Sequence, residues 1–346
     1  MNILIIGNGF DLAHKLPTQY SDFLKICSLV KSMEVSWLGK DVLVSKGIGE
    51  NAELLKIFVE CVGSELYAEF EKKVRHCFWI EHLLKRQAII GGKWLNFEEE
   101  IKLVVESVIK DMQDADDEIV RSVRNESLQA HCKGISFYRD NKTFRELFEL
   151  VMKEHNKLTR LLEIYMSGYV EKIEIESLDL FRNLLIDKVL SFNYTDTYAG
   201  TYDKQMECCQ IHGEADEDKN KPCNMVLGYD DHYMNGASVV PELVPFEKYC
   251  QRIVNRTDSQ YFEWLDSMEK DENMVYIYGH SLAPADGDVL GKFILAPNTK
   301  TTIYYINELD RADKIKNLAI ILGPDKLIKL TGGINPAITF EEIKRL

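Results

Sequence analysis

Four short motifs in this chain combine residue types that can hold a nucleotide or move a proton. The first directly follows the apolar residues 2–6 and consists of Gly7, Asn8, Gly9, Phe10 and Asp11. Glycines let the backbone turn sharply and bring N–H groups to a phosphate at a helix N-terminus. Asp11 could cap that helix or contact a ribose hydroxyl. Leu12 stands where the dinucleotide fingerprint has its third glycine, so a tight turn without a ligand explains the motif equally well.

The second motif supplies an amide and a carboxylate at the end of another apolar run, 186–192. It consists of Ser191, Phe192, Asn193, Tyr194, Thr195 and Asp196. Ligands of open α/β sheets bind at the carboxyl ends of strands, so Asn193 and Asp196 would meet a ligand there. An amide can hold a ribose hydroxyl or position a water. Asn193 and Thr195 are also good capping residues, so they could simply begin the next helix.

A histidine marks the third motif. His212 follows the predicted strand 206–211 and precedes Gly213. A histidine at this place suits a general base, although a lone histidine is more often structural. The nearby cysteines at 208, 209 and 223, with His212, could be considered as ligands of a zinc ion. Adjacent cysteines rarely ligate one ion well, because structural sites separate paired ligands by about two to four residues. We therefore expect no metal.

The fourth motif, Gly279-His280-Ser281, follows the predicted strand 274–278. It superficially fits the nucleophile elbow of α/β-hydrolases. That fold places a histidine after the serine, and none of the 8 histidines follows Ser281, so a standard triad fails. Asp286 and Asp288 could instead close the cleft or bind a polar ligand.

A parallel sheet would bring these motifs together. We predict its strands at 2–6, 186–192, 206–211, 274–278 and 301–306. Residues 20–180 are predicted to be almost wholly helical, most clearly at 98–123 and 143–166. The run 318–322 is either a strand or the end of a helix that begins near Leu309.

The simplest assembly is an α/β fold: a Rossmann-like parallel sheet with a large all-α insertion after its first strand. We expect one unit, residues 1–346. Its core comprises 1–25 and 185–346, and its helical insertion spans 26–184.

The charge balance bears on the partners of the chain. Lys and Arg number 42 against 56 Asp and Glu, so the formal net charge is −14. Nucleic acid is disfavoured, because a phosphate backbone is bound by clustered cations. No uninterrupted apolar run reaches the ~18 residues of a membrane span, and the first residues lack the features of a signal peptide. We expect a cytoplasmic protein with a small nucleotide ligand and no membrane partner. The sequence leaves a homo-oligomer open.

The four motifs, in this order, resemble the bacterial AbiH family of phage abortive-infection proteins. Two further elements carry the resemblance: Leu16-Pro17-Thr18-x-Tyr20-x-x-Phe23, and Trp94-x-Asn96-x-Glu98, in which Asn96 replaces an acid. Membership implies a role in antiviral defence. Both elements also have a purely structural interpretation, in which Trp94 and Glu98 are a helix-packing pair and Tyr20 and Phe23 are core residues.

The motif order is also similar, more distantly, to sirtuin-like NAD-binding domains. By that resemblance Gly7 and Gly9 face the NAD pyrophosphate, and Asn193 binds the nicotinamide ribose and a water. His212 is the general base, and Ser281 lies near the adenine ribose. The other residues expected to contact the nucleotide are Asn8, Phe10, Asp11, Thr195, Asp196, Gly279, His280 and Asp286.

Several departures from the sirtuin pattern limit what carries over. Asn8 replaces alanine, Asp11 replaces serine, and Thr195 occupies the position of an aspartate. The sirtuin zinc cysteines are missing. Cleavage of NAD by water is therefore a simpler expectation than deacylation. Two other functions stay open: a nucleotide sensor without turnover, and a toxin that acts on RNA or nucleotides through His212, His280 and Asp11.

Overall fold

The chain is described from a computed structural model, in which the described residues are 1–39, 41–46, 49–91, 95–113, 141–216, 218, 221–230, 243–268 and 272–343. The strands within these ranges are β1 (Asn2–Ile6), β2 (Glu34–Leu38), β3 (Asp41–Ser45), β4 (Lys188–Ser191), β5 (Cys208–Gln210), β6 (Asn273–Tyr278), β7 (Thr299–Tyr305) and β8 (Ile338–Glu342).

Six of these strands form one parallel sheet in the order β5-β4-β1-β6-β7-β8. The chain starts in the centre at β1 and builds one half outward through β4 and β5. It then returns to the centre and builds the other half through β6, β7 and β8. This is the strand order of doubly wound dinucleotide-binding folds, which confirms the predicted Rossmann-like sheet. The direction of winding reverses between β1 and β6, at whose carboxyl ends such folds bind ligands.

The apolar sequence of β1 explains its central place. Ile3 and Ile5 point to one face of the sheet, Leu4 and Ile6 to the other, and all four are buried. A strand covered on both faces must be apolar at every position, since successive side chains alternate between the faces.

The helices of the described residues are α1 (Asn8–Ala13), α2 (Tyr20–Ser32), α3 (Glu50–Arg75), α4 (Phe78–Ile90), α5 (Phe97–Gln113), α6 (Asn141–Gly168), α7 (Asp179–Asn183), α8 (Thr197–Thr201), α9 (Lys248–Asn255), α10 (Tyr261–Met268), α11 (Gly287–Ile294), α12 (Glu308–Leu322) and α13 (Pro324–Thr331). Short 3₁₀ turns occupy Val170–Lys172, Val244–Phe246 and Pro284–Asp286. None of these helices is both long and apolar enough to cross a membrane.

Helices α2 to α6 form a helical body between β1 and β4, which confirms the predicted insertion. Its core is rich in aromatic side chains, such as Phe58, Phe70 and Trp79, all fully buried. Phe23 also lies in this core, so the packing of the helical body begins before residue 26. Phe246, just before α9, packs against the same core. The helical body therefore touches the segment that leads into the candidate site.

The sequence prediction was wrong about one part of the helical body. Residues 34–45 were expected to be helical, but β2 and β3 pair there as an antiparallel hairpin. Val35 faces Val44 across the hairpin, and both pack against the helical core. Val35 and Trp37 alternate with polar residues in β2, and β3 contains two β-branched valines; both features favour strands.

At the C-terminal end, the structure resolves one ambiguous element and adds one strand that was not predicted. The ambiguous run 318–322 is the end of α12. Strand β8 was not predicted and extends the sheet beside β7. The predicted helix 98–123 is described as α5 up to Gln113, and its remainder lies outside the described residues.

Candidate functional site

Glycines bring the carboxyl ends of β1 and β6 into direct contact. The Gly9 N–H donates to the Gly279 carbonyl oxygen at 2.7 Å. A Cβ on Gly279 would lie 2.1 Å from the Phe10 nitrogen, and Gly279 has a φ of +67°. A Cβ on Gly7 would lie 2.8 Å from the His280 Cα. Close backbone approach therefore requires glycine at these positions, because any side chain would push the two turns apart.

The same contacts occupy most of the N–H groups that the sequence assigned to a pyrophosphate. Gly7 N–H donates to the Tyr278 carbonyl at 3.3 Å, and Phe10 N–H donates to the Gly7 carbonyl at 2.8 Å. With the Gly9 bond, three N–H groups of the turn have acceptors within the protein. Helix α1, which begins at Asn8, is only 6 residues long.

A buried cluster of ionisable side chains lies beside these turns. Asp286 is at its centre: its Oδ1 is 3.2 Å from His212 Nε2, and its Oδ2 is 3.4 Å from His280 Nε2. Lys248 Nζ donates to the same Oδ1 at 2.8 Å. All four residues are at most 7% exposed. The structure thus brings together three residues that the sequence had selected, His212, His280 and Asp286.

His280 has both ring nitrogens engaged. Its Nδ1 accepts the Leu282 N–H at 2.9 Å, so its proton is on Nε2, which faces Asp286. Leu282 has a φ of +56°, an unfavourable conformation for a leucine that aims its N–H at the ring. Burial lowers the pKa of His280, and the nearby His212 and Lys248 lower it further, against the opposing effect of Asp286. His280 is therefore a neutral, fixed partner of Asp286.

Among the described residues, His212 is engaged through Nε2. Its Nε2 faces a carboxylate oxygen, and two lone pairs cannot face each other there, so Nε2 carries the proton. Within the described residues, no hydrogen bond to Nδ1 occurs. The unprotonated Nδ1 of His212 is therefore available to accept a proton. This is the arrangement of a histidine base oriented by an acid.

Lys248 keeps the central carboxylate ionised. Burial disfavours the charged form of Asp286, but Lys248 first, and then the two histidines, hold the pKa of that carboxyl well below its usual range. Burial likewise disfavours the charge on Lys248, yet Asp286 and Glu98 raise the pKa of its ammonium above the usual value. Glu98 Oε1, from helix α5, lies 3.0 Å from Lys248 Nζ. The two pKa directions agree: Lys248 and Asp286 form a buried ion pair, and the half-buried carboxylate of Glu98 is a second partner of the ammonium.

Aromatic rings surround this cluster. Phe192, at the end of β4, packs edge-on against the rings of His212 and His280, with centroids 5.3 and 4.4 Å away. Tyr194 donates its hydroxyl to the Val226 carbonyl at 2.7 Å. Tyr20 stacks on Phe97 with 3.9 Å between centroids. The rings exclude water from one side of the cluster, which strengthens its electrostatic interactions.

Asn193 and Asp11 belong to a second, neighbouring group. Asn193 Nδ2 donates to the Gly7 carbonyl at 3.1 Å and so ties β4 to the first turn. Thr195 donates its hydroxyl to Asp11 Oδ2 at 2.7 Å, and Thr197 donates to Thr195 at 3.0 Å. Burial raises the pKa of Asp11 to about 6, although hydrogen bonds from Thr195, Thr197 and Asn193 lower it. No hydrogen bond joins Asn193 to His212 across the described part of the chain.

The last predicted residues lie outside both groups. Ser281 is exposed, and its carbonyl accepts from Asn317. Asp196 is also exposed and precedes α8. Its N–H donates to Glu171 at 3.2 Å. Burial raises the pKa of Glu171 to about 7, and the charges of Glu214 and Asp196 raise it further. Carboxylates therefore gather beyond the ends of β4 and β5.

No group of side chains in the described residues has the composition of a metal site. Cys208 and Cys209 face opposite sides of the sheet, since Cys209 lies in the core of one face and Cys208 packs against that of the other. Their alternation is that of successive residues in a strand.

Comparison with known families decides the relationship of the chain. The model of the family described as bacteriophage abortive infection AbiH matches residues 3–307. The chain belongs to the AbiH family. No curated protein and no solved structure matches it. The match spans all four motifs and both halves of the sheet, so the cluster around Asp286 lies within the AbiH region.

The structure also explains the AbiH elements that lie in the helical body. Phe23 is fully buried, and the Pro17 carbonyl accepts from Tyr165 at 2.7 Å. Asn96 Oδ1 accepts the Glu98 N–H at 3.0 Å and so caps the first turn of α5. An acid could do the same at this position. Trp94 lies outside the described residues.

Lys248 is the member of the cluster that the sequence prediction missed, and Glu98 was considered as part of an AbiH element or as a packing residue, without a role in the site. Lys248 lies in a polar, loop-rich stretch, and one lysine among many carries no sequence signal. Glu98 lies within the motif Trp94-x-Asn96-x-Glu98, which was the available clue. Its partner, 150 positions away, could be identified only in the folded chain.

Proposed function

We propose that this AbiH protein is an abortive-infection effector that hydrolyses NAD or a related nucleotide, with His212 as the general base. The observation that carries the proposal is the His212–Asp286 pair: Nε2 is 3.2 Å from Oδ1, and no hydrogen bond from the described residues occupies Nδ1, which can take a proton. The pair lies at the carboxyl edge of a sheet with the strand order of dinucleotide-binding folds.

The reaction follows from the chemistry of the N-glycosidic bond. The bond between nicotinamide and ribose breaks, and nicotinamide leaves as a neutral molecule with the electron pair of the bond. The ribose passes through an oxocarbenium-like state and is attacked by water. His212 Nδ1 accepts the proton of that water and later releases it to solvent. The products are nicotinamide, ADP-ribose and one proton.

The charge balance of the cluster favours this role of His212. With neutral imidazoles, the cluster contains the buried Lys248 ammonium, the buried Asp286 carboxylate and the half-buried Glu98 carboxylate, hence one negative charge in excess. A proton gained by His212 balances that charge. Asp286 also holds the ring in one tautomer, and such orientation is worth several orders of magnitude in related sites.

The position of the nucleotide follows from the same contacts. Because the N–H groups of Gly7, Gly9 and Phe10 donate within the protein, this turn is not a ready phosphate cradle. We place the nicotinamide ribose near His212 and the second group, with Asn193 as the amide that contacts it. The roles of Asn8, Asp11, Thr195, Asp196, Gly279, Ser281 and the other predicted nucleotide contacts remain part of this proposal.

Two alternatives are separated by specific observations. Carboxylates gathered at Glu171, Asp196 and Glu214 repel a polyanion, which disfavours a toxin that cuts long RNA. His280 has no nitrogen left for acid–base work, and this removes one of the groups that such a toxin would use. A sensor that binds a nucleotide without turnover would give heat in calorimetry but no product in chromatography.

A structure of the His212→Ala variant with NAD tests the proposal. Loss of the base should leave the bound dinucleotide intact, with its nicotinamide ribose beside residue 212. A matched soak with the variant Asp313→Asn, an exposed position on α12 outside the site, should show products or the same binding position. NAD bound elsewhere on the protein, or no binding at any concentration, would contradict the proposal.

A further inference from the structure

Glu98 comes from the helical body, yet it reaches the cluster at the edge of the sheet. We propose that Glu98 is a positioning residue for the His212–Asp286 pair and acts on it through Lys248. The helical body would then set how strongly the site holds a proton. This inference rests on the proposed function only where it concerns turnover, because the geometry and the main test concern His212 itself.

The coupling arises because one oxygen is shared. Asp286 Oδ1 accepts from Lys248 Nζ at 2.8 Å and lies 3.2 Å from His212 Nε2. A carboxylate oxygen that is strongly neutralised by an ammonium is a weaker partner for an imidazole. The field of Lys248 on Asp286 therefore controls how well Asp286 supports a proton on His212.

Glu98 weakens the electrostatic effect of Lys248 on Asp286. Its Oε1 lies 3.0 Å from Lys248 Nζ, so the ammonium is shared between two carboxylates. The side chain of Lys248 is 3% exposed and that of Glu98 is 21% exposed, so solvent screens this pair less than an ion pair at the surface. Without Glu98, the whole charge of Lys248 would act on Asp286. The same change would also remove a negative charge near His212, and both effects disfavour its protonation.

The helical body holds Glu98 firmly. Asn96 caps the first turn of α5 through the Glu98 N–H. Two residues further, the Glu100 carboxylate accepts from Arg86 Nε at 2.9 and 3.0 Å and lies 3.1 Å from His82 Nε2, both on α4. A displacement of α5 relative to α9 would therefore change the Glu98–Lys248 distance, and with it the state of the site.

Among the residues that the structure describes, the other groups that face the cluster are neutral or fixed. They are His280 from the end of β6, Tyr20 from α2 and Tyr194 from the end of β4. Burial raises the pKa of both tyrosines above the usual range, so neither ionises near neutral pH. In the described part of the helical body, Glu98 is thus the group that brings a charge to this cluster.

Histidine-ring NMR of the full chain tests the proposal by following the titration midpoint of His212. Glu98→Gln keeps the size of the side chain and removes its charge. We expect the midpoint to move to lower pH by on the order of half a unit or more, at an effective dielectric of about 20. Lys248→Met removes the opposing charge and should move the midpoint to higher pH.

Glu99→Gln is the matched control, because Glu99 is exposed, lies on the same helical turn and has the same charge. It should leave the midpoint unchanged. If the midpoint in Glu98→Gln equals that of wild type, or moves no further than in Glu99→Gln, the proposal is wrong. If Glu98→Gln does not fold, Glu98→Asp decides, since it keeps the charge but withdraws it; a shift to lower pH supports the proposal and no shift contradicts it.

Measurements of NAD turnover distinguish this inference from the proposed function. In a protein that cleaves NAD, Glu98→Gln should shift the acidic limb of the pH–rate profile by the same amount and in the same direction as the His212 midpoint. A protein that leaves NAD intact would contradict the proposed function, while the NMR result would still decide the positioning role of Glu98.

Discussion

Lys248 Nζ and Asp286 Oδ1 form an ion pair of 2.8 Å inside the protein, with 3% and 7% of the two residues exposed. Burying two charges costs several kcal/mol per ion unless each finds good partners. The partners are present here: Lys248 also contacts Glu98, and Asp286 also contacts two histidines. An arrangement of this cost at the carboxyl edge of the sheet is typical of a functional site.

Removing one charge of this pair should destabilise the fold strongly. Lys248→Met leaves the buried Asp286 carboxylate uncompensated, and we expect a loss of about 3–5 kcal/mol in the free energy of unfolding. The double variant Lys248→Met/Asp286→Asn should lose less than the sum of the two single variants, because the uncompensated carboxylate is then gone. Urea denaturation measures all of these values. Strict additivity would show that the two residues do not interact.

Asp11 should make stability depend on pH. Its pKa is raised from 3.8 to about 6 in the folded protein by burial, so between these values the folded chain keeps a proton that the unfolded chain has lost. Stability from this group is complete below pH ~4 and is lost as pH rises through about 6. Asp11→Asn should therefore gain about 3 kcal/mol relative to wild type between pH 4 and pH 7.

The pH effect is measured as the difference between variant and wild type, which cancels the other titrating groups. Asp313→Asn, an exposed carboxylate on α12, serves as the control and should follow wild type throughout. Unfolding curves of Asp11→Asn that stay parallel to wild type across this pH range would show that Asp11 ionises normally.

Gly279 should tolerate no side chain. In Gly279→Ala the new Cβ would meet the Phe10 nitrogen at 2.1 Å, and the backbone has a positive φ. We expect a loss of stability of at least about 2 kcal/mol, combining steric overlap with left-handed strain. Gly323→Ala is the comparison, since Gly323 has a φ of +84° but open space around it. Equal losses in a thermal melt of both variants would mean that the contact between the turns is loose.

The sheet could be predicted from the sequence because buried parallel strands are continuous apolar runs. Residues 2–6 and 274–278 coincide almost completely with β1 and β6. Short alternating strands were harder to detect. The hairpin at 34–45 lies among long helices, and β8, at 338–342, contains two glutamates. In both cases, pairing with a neighbouring strand stabilises a run that is too short or too polar to be distinctive in the sequence.

The candidate site could be predicted in part, for a similar reason. His212, His280 and Asp286 each follow a strand or its turn, and parallel strands bring their carboxyl ends to one edge. Lys248 and Glu98 come from helices whose position depends on the packing of the helical body. After β4, alternation along the chain turns Phe192 toward the histidines and Asn193 toward Gly7.

The most direct measurement of the central claim is chromatography of NAD incubated with purified wild-type protein and with His212→Ala at equal, high concentration. We predict conversion of NAD to nicotinamide and ADP-ribose by wild type, and a rate about 10²- to 10⁴-fold lower for the variant. Intact NAD with the wild-type protein, together with no heat of binding in calorimetry, would contradict the claim. Equal turnover by both proteins would contradict the assignment of His212 as the base.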